Sequence, residues 1–260
     1  MLNYKTEGKG QENLVLLHGF MENLSIWDDM ILYLSDQFTV IKIDLPGFGQ
    51  SKAVAEIQTM ELMAEEVKKV TDKLGLQQFH LLGHSMGGYI ALAFAEKYPD
   101  LLKSFTLFFS TYIADDEAKK EIRRKGLRII KENLRGFVNA GVPNLFNPNE
   151  LDVLESKITL AKEIAYTSSV EGVLASQKGM IERPDRTQVL KDFEGRILVL
   201  AGKHDSAVNA HQTLANLPDQ TNIKSYLLDC GHNGHWEKPA VCAAIINTEL
   251  LHHLPKNLIL

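Results

Sequence analysis

Cysteine and long apolar runs are scarce in this chain. Its 260 residues include two cysteines, Cys230 and Cys242, which are too few for a disulfide framework and are typical of reduced residues in a cytosolic protein. No apolar run approaches the roughly 20 residues of a membrane span, and the N-terminus lacks the pattern of a secretory signal. We therefore expect a cytoplasmic protein with no membrane partner.

An excess of positive charge is also missing. The chain has 28 Lys and Arg against 33 Asp and Glu, with a formal net charge of -5, so no broad basic surface is expected to attract nucleic acid. No helix pattern carries two histidines at i and i+4 beside a carboxylate, so we expect neither a metal site nor a cofactor. With 45% hydrophobic and 23% charged residues, the composition is typical of a large globular domain, and we expect a small-molecule substrate.

Apolar runs of strand length alternate with amphipathic helical patterns along most of the chain. Such alternation predicts an α/β fold, with a mostly parallel sheet covered by helices on both faces. Active sites in these sheets lie beyond the carboxyl ends of the strands. The predicted strands are 14–17, 40–43, 79–82, 105–108, 197–200 and 224–228, and the predicted helices are 24–36, 60–74, 87–98, 209–217 and 240–253.

One segment interrupts this alternation. About 80 residues separate Ser110 from the next strand, far more than a normal connection contains. Apolar stripes at helical spacing run through 122–138, 151–165 and 170–181, and the basic run 119–125 falls on the polar side of the first stripe. We expect residues 111–191 to form a helical cap, inserted into a core domain of residues 1–110 and 192–260.

A Gly-His-Ser-Met-Gly sequence at residues 83–87 follows the third predicted strand and precedes a helix. A serine hydroxyl is a weak nucleophile, and a tight turn from strand to helix exposes its oxygen beside backbone N–H groups. Glycines at both ends allow the flanking segments to approach closely. The pattern therefore predicts that Ser85 is a nucleophile.

Candidates for a base and an orienting acid follow Ser85 in the chain. Asp205 lies in the loop after strand 197–200, and His232 comes directly after the turn glycine that ends the last strand. A catalytic serine needs a histidine base and a carboxylate that orients it. His235 is an alternative base, and Asp115–Asp116, after strand 105–108, offer alternative acids. We favour Asp205 because it alone has a Gly-x-x-Asp context.

Four ordered motifs together resemble the alpha/beta-hydrolase superfamily. They are His18-Gly19-Phe20, the Asp-x-x-Gly-x-Gly-x-Ser loop at 44–51, the turn around Ser85, and the loops that carry Asp205 and His232. The resemblance covers nearly all of the chain except the cap and implies the alpha/beta-hydrolase fold, with a twisted sheet. It further implies that Ser85 attacks an acyl carbon, that His232 takes its proton, and that Asp205 holds the imidazole.

The same resemblance extends to residues around the reacting carbon. It implies that the backbone N–H groups of Phe20 and Met86 receive the developing oxyanion, and that His235 is a wall or hydrogen-bonding residue of the pocket. The segment around Arg183 is similar to the cap endings of enol-lactonase-like and small esterase-like relatives. Arg183 is therefore a candidate ligand for a substrate carboxylate, with an exposed charge at a helix end as the alternative.

The remaining histidines have plainer expected positions. We expect His18 to brace the oxyanion loop and His84 to pack beside the nucleophile. His204 and the pair His252 and His253 are expected on the solvated surface.

A serine rather than an aspartate in the turn excludes the branches of the superfamily that form alkyl-enzyme esters. We expect a serine hydrolase of small carboxylic esters or lactones. A carbon–carbon bond hydrolase, a lyase or a cofactor-free oxidative member remains an alternative, as does a ligand-binding signalling protein that retains the triad. We expect a monomer or a small homo-oligomer, and cap side chains would select the substrate.

Overall fold

A seven-stranded sheet forms the centre of the computed structural model, which describes residues 1–251. The spatial order is β1-β3-β2-β4-β5-β6-β7; β1 is antiparallel to β3, and the other neighbours are parallel. The predicted α/β fold with a mostly parallel sheet is confirmed. The strands are β1 (Tyr4–Glu7), β2 (Glu12–Leu17), β3 (Phe38–Ile43), β4 (Phe79–His84), β5 (Leu102–Phe108), β6 (Arg196–Gly202) and β7 (Ile223–Leu228).

Helices surround this sheet, and its central strands are buried on both faces, as is usual in parallel sheets. Every residue of β4, for example, is buried. The helices are α1 (Asp28–Leu34), α2 (Met60–Lys73), α3 (Met86–Lys97), α4 (Glu117–Gly141), α5 (Leu151–Tyr166), α6 (Val170–Glu182), α7 (Thr187–Asp192), α8 (Ala210–Ala215), α9 (Gly234–Glu237) and α10 (Pro239–Leu251).

The apolar core is divided into two layers by the sheet. One layer contains Val67 of α2 and Phe94 of α3, and the other contains Met30 of α1 and Ile246 of α10. Helices therefore cover both faces of the sheet, as the alternating pattern predicts.

Strand β1 is the one strand that the apolar pattern does not predict. Its sequence, Tyr-Lys-Thr-Glu, pairs only with β3 at the edge of the sheet, and none of its four residues is fully buried. An edge strand without a buried face leaves no hydrophobic pattern to detect.

Four helices, α4 to α7, lie between β5 and β6, and we call them the inserted helices. Their apolar faces are narrower than predicted: Ile130 and Val138 of α4 are buried, whereas Ile122 is 69% exposed. Helix α4 is also kinked at Asn133, which has non-helical backbone angles. The side chain of Asn133 accepts a hydrogen bond from the backbone N–H of Gly136, so it caps the second part of the helix.

Helix α6 contacts the backbone of the loops that follow β3. A Cβ atom at Gly179 would lie 1.8 Å from the carbonyl oxygen of Gln58, and one at Gly172 would lie 2.3 Å from that of Gly47. The backbone N–H of Gln58 donates to the carbonyl of Ala175 at 3.0 Å. The two glycines therefore allow α6 to dock closely against these loops.

No helix within residues 1–251 is both long and apolar enough to cross a membrane. Cys230 and Cys242 are buried free thiols, and burial raises the pKa of both, to about 12 for Cys242. His252 and His253 lie outside the described residues. The cytoplasmic location stays a prediction.

Candidate active site

Ser85 occupies a strained turn between β4 and α3. Its backbone angles are φ 50° and ψ -114°, a left-handed conformation that costs a non-glycine residue about 1 to 3 kcal/mol. Two backbone hydrogen bonds hold the turn, from Ser85 N–H to the carbonyl of Phe108 at 3.0 Å and from Gly88 N–H to the carbonyl of Ser85 at 2.9 Å. The turn leaves the Ser85 side chain at the wall of a cavity.

The glycines around Ser85 make this turn sterically possible. A Cβ atom at Gly83 would lie 2.1 Å from the carbonyl oxygen of Gly87, and one at Gly87 would lie 2.5 Å from that of Leu17. A side chain at Gly83 would push β4 away from α3, and one at Gly87 would push α3 away from the end of β2. The two glycines of the motif are thus required by backbone contacts.

Asp205 and His232 meet at the carboxyl ends of the neighbouring strands β6 and β7. The distance from Asp205 Oδ2 to His232 Nδ1 is 2.7 Å. Asp205 Oδ1 accepts hydrogen bonds from the backbone N–H groups of Ala207 at 2.8 Å and Val208 at 2.9 Å. The side chains of His232 and Asp205 are only 4% and 1% exposed. The imidazole is therefore fixed with Nδ1 toward the carboxylate.

The environment of His232 favours its charged form. Burial alone would lower the pKa of its imidazole, but the charge and hydrogen bond of Asp205, with a smaller contribution from Glu22, raise the pKa above its usual value. A base with a raised pKa accepts a proton more readily. The pair is therefore suited to take a proton and to stabilise the resulting imidazolium.

Ser85 and His232 both line a cavity of about 140 Å³, which we call the reactive cavity. Its walls combine loops at the carboxyl edge of the sheet with side chains of the inserted helices. A second cavity of about 190 Å³, the apolar cavity, shares Phe20, Glu22 and Leu145 with it. Besides Ser85, His232 and the shared residues, the reactive cavity is lined by His84, Tyr89, Arg123, Met180, Ala207 and Val208.

The predicted oxyanion donors flank the reactive cavity. Phe20 lines it, and its ring contacts the ring of Phe48 edge-on, with centroids 6.1 Å apart. Met86 is the first residue of α3, so its N–H is one of the first four, which have no acceptor within the helix. Phe20 itself lines the cavity, and Met86 directly follows Ser85, which also lines it. That their N–H groups receive an oxyanion stays a prediction.

His18 connects the loop of Phe20 to the loop after β3. Its Nδ1 lies 2.7 Å from the carbonyl oxygen of Gly19, and its Nε2 accepts a hydrogen bond from Leu45 N–H at 2.9 Å. Burial lowers the pKa of His18, so its neutral form is favoured. His18 therefore braces this loop and has no contact that would make it a base.

Glu22 is a charged residue of the site that the sequence motifs do not reveal. Its carboxylate accepts hydrogen bonds from Gly19 N–H at 2.5 Å and from His84 Nδ1 at 2.8 Å, and His84 Nε2 lies 3.0 Å from the carbonyl oxygen of His232. Burial opposes ionisation, but the charge and hydrogen bond of His84 hold the pKa of Glu22 at about 2. Glu22 and His84 thus connect the oxyanion loop, the serine turn and the His232 loop.

His235 is not the pocket-wall residue that the sequence predicts. It is fully buried, and its ring lies between those of Trp27, His84 and Trp236, with centroids 5.7, 4.8 and 4.4 Å away. Neither ring nitrogen has a hydrogen-bond partner among residues 1–251, and burial lowers its pKa well below the usual value. His235 is therefore a neutral core residue, because its helix α9 turns the ring inward.

Arg183 is neither the ligand of a substrate carboxylate nor the exposed charge at a helix end that the sequence predicts. Its side chain is 2% exposed, and it donates to the carbonyl of Ile113 at 2.6 Å and to Asp115 Oδ1 at 2.7 Å. Its guanidinium lies 4.0 Å from the ring centre of Tyr89, which separates it from the reactive cavity. Arg123 of α4 belongs to the basic run that the sequence predicts on the polar side of its helix, but it lines that cavity.

Comparison with known proteins agrees with the fold. The sequence profile of the alpha/beta hydrolase fold matches residues 12–152. A 2-hydroxy-6-oxononadienedioate/2-hydroxy-6-oxononatrienedioate hydrolase of Paraburkholderia phymatum is 27% identical over 252 residues, which cover 91% of this chain and 86% of that protein.

Solved structures with the same fold include two enzymes. A thermophilic esterase from Thermogutta terrifontis, with malate bound, has a TM-score of 0.89 and 31% identity over 96% of this chain and 93% of its own. The enol-lactonase from Burkholderia xenovorans has a TM-score of 0.89 over 96% of both chains, at 20% identity, which shows the fold alone. These likenesses support a hydrolase, and the chain belongs to the alpha/beta hydrolase fold family.

Proposed function

We propose that this protein is a serine hydrolase that cleaves small carboxylic esters or lactones through an acyl-enzyme formed on Ser85. The observation that carries this proposal is the shared cavity of Ser85 and His232, together with the 2.7 Å contact between His232 Nδ1 and Asp205. The likeness to an esterase at 31% identity supports the same reaction class.

In the proposed reaction, His232 Nε2 takes the proton of Ser85 Oγ while that oxygen attacks the acyl carbon. Asp205 keeps Nδ1–H directed toward itself and stabilises the imidazolium. The oxyanion accepts hydrogen bonds from the N–H groups of Phe20 and Met86, and each such donor contributes about 3 kcal/mol of transition-state stabilisation. His232 then protonates the leaving alkoxide, and a water molecule releases the acid from Ser85 by the same steps in reverse.

Residues 111–191 serve as a cap in this proposal. Arg123 of α4 and Met180 of α6 line the reactive cavity, and Phe137 and Ala161 line the apolar cavity. Side chains of the inserted helices would therefore select the substrate, and the cavities of about 140 and 190 Å³ suit a small one.

The test is covalent labelling with a fluorophosphonate probe, combined with turnover of a 4-nitrophenyl ester. The wild-type protein should be labelled and should release nitrophenolate, whereas Ser85→Ala should do neither. Ser206→Ala is the matched control, because Ser206 is an exposed serine next to Asp205. Labelling that persists in Ser85→Ala would show that another residue is the nucleophile.

Hydrolysis of a carbon–carbon bond beside a ketone is the second candidate. The observation in its favour is the 27% identity, over 91% of this chain, to the 2-hydroxy-6-oxononadienedioate/2-hydroxy-6-oxononatrienedioate hydrolase of Paraburkholderia phymatum. The same three side chains would be used. A vinylogous diketone that is turned over faster than any nitrophenyl ester would favour this candidate over ester hydrolysis.

A further inference from the structure

Arg123 is the one Lys or Arg side chain, within residues 1–251, that lines the reactive cavity. Its Nε donates to Asp115 Oδ2 at 2.6 Å, and its Nη1 lies 3.5 Å from the sulfur of Met180. Its Nη2 has no hydrogen-bond partner within residues 1–251. Since a guanidinium carries five N–H donors, most of the binding capacity of Arg123 is available to a ligand.

The guanidinium of Arg123 is held in place by a buried carboxylate. Asp115 is 1% exposed and also accepts a hydrogen bond from Arg183 at 2.7 Å. Arg183 is fixed in turn by the carbonyl of Ile113. A side chain that is already ordered loses little conformational entropy when a ligand binds, so Arg123 is preorganised.

The charges around Arg123 leave a positive excess. Asp115 is faced by Arg123, by Arg183 and, at 3.9 Å, by the ammonium of Lys119. Asp185 is the other carboxylate near Arg183. Within residues 1–251, the single carboxylate of Asp115 is thus shared by three cations, and of these Arg123 lines the reactive cavity and has free donors.

Arg123 also lies where ligands would reach the cavity from outside. An open groove of about 610 Å³ is lined by Lys119, Ile122 and other residues, and it shares Phe20, Arg123 and Ala207 with the reactive cavity. Arg123 is therefore at the junction between the groove and the cavity.

A negative charge lies where the reactive cavity meets the apolar cavity. Glu22 lines both the reactive and the apolar cavity, and its pKa of about 2 keeps it ionised. A substrate carboxylate would be repelled by Glu22 and attracted by Arg123. The two residues together would orient an anionic substrate with its apolar part away from Arg123.

We propose that Arg123 binds a carboxylate of the substrate, so that the preferred substrates are esters or lactones with a free carboxylate a short chain away from the reacting carbonyl. The inference rests on the proposed chemistry at Ser85. Guanidinium groups bind carboxylates with two parallel hydrogen bonds, and this pairing would discriminate against neutral esters of the same length.

The experiment compares two 4-nitrophenyl esters of equal chain length, the monoester of glutaric acid and the ester of pentanoic acid. The wild-type protein should show a higher kcat/KM for the glutarate ester. Arg123→Gln should lower that value by about 10- to 100-fold, the worth of a hydrogen bond between charged groups, and the loss should be much larger for the glutarate ester than for the pentanoate ester. Arg123→Lys should be intermediate, because it keeps the charge but not the paired donors.

Arg124→Gln is the matched control, because Arg124 is the next residue of α4 and contacts only exposed glutamates. Its ester preference should equal that of the wild type. The melting temperature of each variant shows that it is folded. Binding of free glutarate, measured by calorimetry, gives a readout that does not need turnover, and Arg123→Gln should abolish it.

Three results would overturn the inference: a wild-type preference for the pentanoate ester, an equal loss for both esters in Arg123→Gln, or glutarate binding that Arg123→Gln does not weaken. In these cases Ser85 would still react with the fluorophosphonate probe. If Ser85 is not labelled but glutarate binding still depends on Arg123, the proposed function is wrong. The carboxylate site at Arg123 would then still be supported.

Discussion

Asp205 and Asp115 are two buried carboxylates with different partners. Each follows one of the neighbouring strands β6 and β5, and each side chain is 1% exposed. Asp205 contacts an imidazole, whose proton can move at neutral pH, whereas Asp115 contacts two guanidinium groups, which keep their protons. We therefore expect the partner of a buried carboxylate, more than its depth or its strand, to decide whether the carboxylate supports chemistry or structure.

The largest difference should appear when the two carboxylates are made neutral. Asp205→Asn should lower kcat for a nitrophenyl ester by about 10³- to 10⁴-fold, because His232 loses the group that sets its tautomer and stabilises its charge. Asp115→Asn, assayed while folded at 25 °C, should lose much less. An equal loss in both variants would mean that the comparison between the two carboxylates is wrong.

Stability should show the reverse order. Asp115→Asn leaves Arg123 and Arg183 without their negative partner and should reduce the free energy of unfolding by about 3 kcal/mol, measured by urea unfolding at pH 7. Burial opposes ionisation of Asp115, but the two arginines lower its pKa. Since the folded pKa lies below the unfolded value of about 3.9, the contribution is present above that pH and is lost as the pH falls through the folded pKa.

The difference in stability between wild type and Asp115→Asn should therefore shrink in strong acid. A difference that is constant from pH 7 to pH 3 would show that the ion pairs are not its source.

Glu22 is a third carboxylate at the site, and Glu22→Gln should affect both the loop of Phe20, through Gly19, and His232, through its charge. The amide oxygen of Gln can still accept from Gly19 N–H, but loss of the negative charge weakens this hydrogen bond and should lower kcat/KM by about tenfold. The charge of Glu22 helps to raise the pKa of His232, and the base must be neutral. The acid limb of kcat/KM, which the raised pKa places above pH 6.5, should therefore move to lower pH in this variant.

The pH profile with a neutral nitrophenyl ester measures this shift. Glu121→Gln, which changes an exposed carboxylate of α4, should leave the limb in place. A limb that does not move in Glu22→Gln would restrict Glu22 to a structural role.

The smallest effect is expected at Asp116, the neighbour of Asp115. Its side chain accepts a hydrogen bond from Lys119 N–H at 2.7 Å and caps α4. Asp116→Ala should cost about 1 kcal/mol of stability, measured by urea unfolding, and should leave kcat unchanged. A loss of activity comparable to that of Asp205→Asn would identify Asp116 as the triad acid instead.

The parts of the site that follow strands could be predicted from the sequence. The ends of parallel neighbours meet at one edge of the sheet, so the order of motifs was enough to bring Asp205 and His232 together. The turn at Ser85 is predicted by its two glycines and by the strand and helix on either side, and its role as a nucleophile by the acid and the histidine that follow in order. These inferences require no knowledge of how helices pack.

The parts of the site that depend on helix packing could not be predicted in this way. Helical periodicity shows which face of a helix is apolar but not what that face contacts. The sequence therefore predicts Arg183 at the substrate, whereas in the structure it contacts Asp115 and Tyr89. Arg123 lies in a basic run that is typical of a solvated helix face, and the neighbouring Ile122, which the pattern places on the buried face, is exposed. Glu22 belongs to no motif, and its role depends on where His84 lies in space.

The docking of α6 has a consequence for changing the substrate range of this protein. At Gly172 and Gly179 the helix touches backbone atoms, which cannot move aside as side chains do. We expect most substitutions on that face of α6 to prevent correct folding, so the variants could not be selected for activity. Libraries should instead vary the cavity-facing positions of α4 and α5, where new side chains meet open space and where each surviving variant reports on specificity.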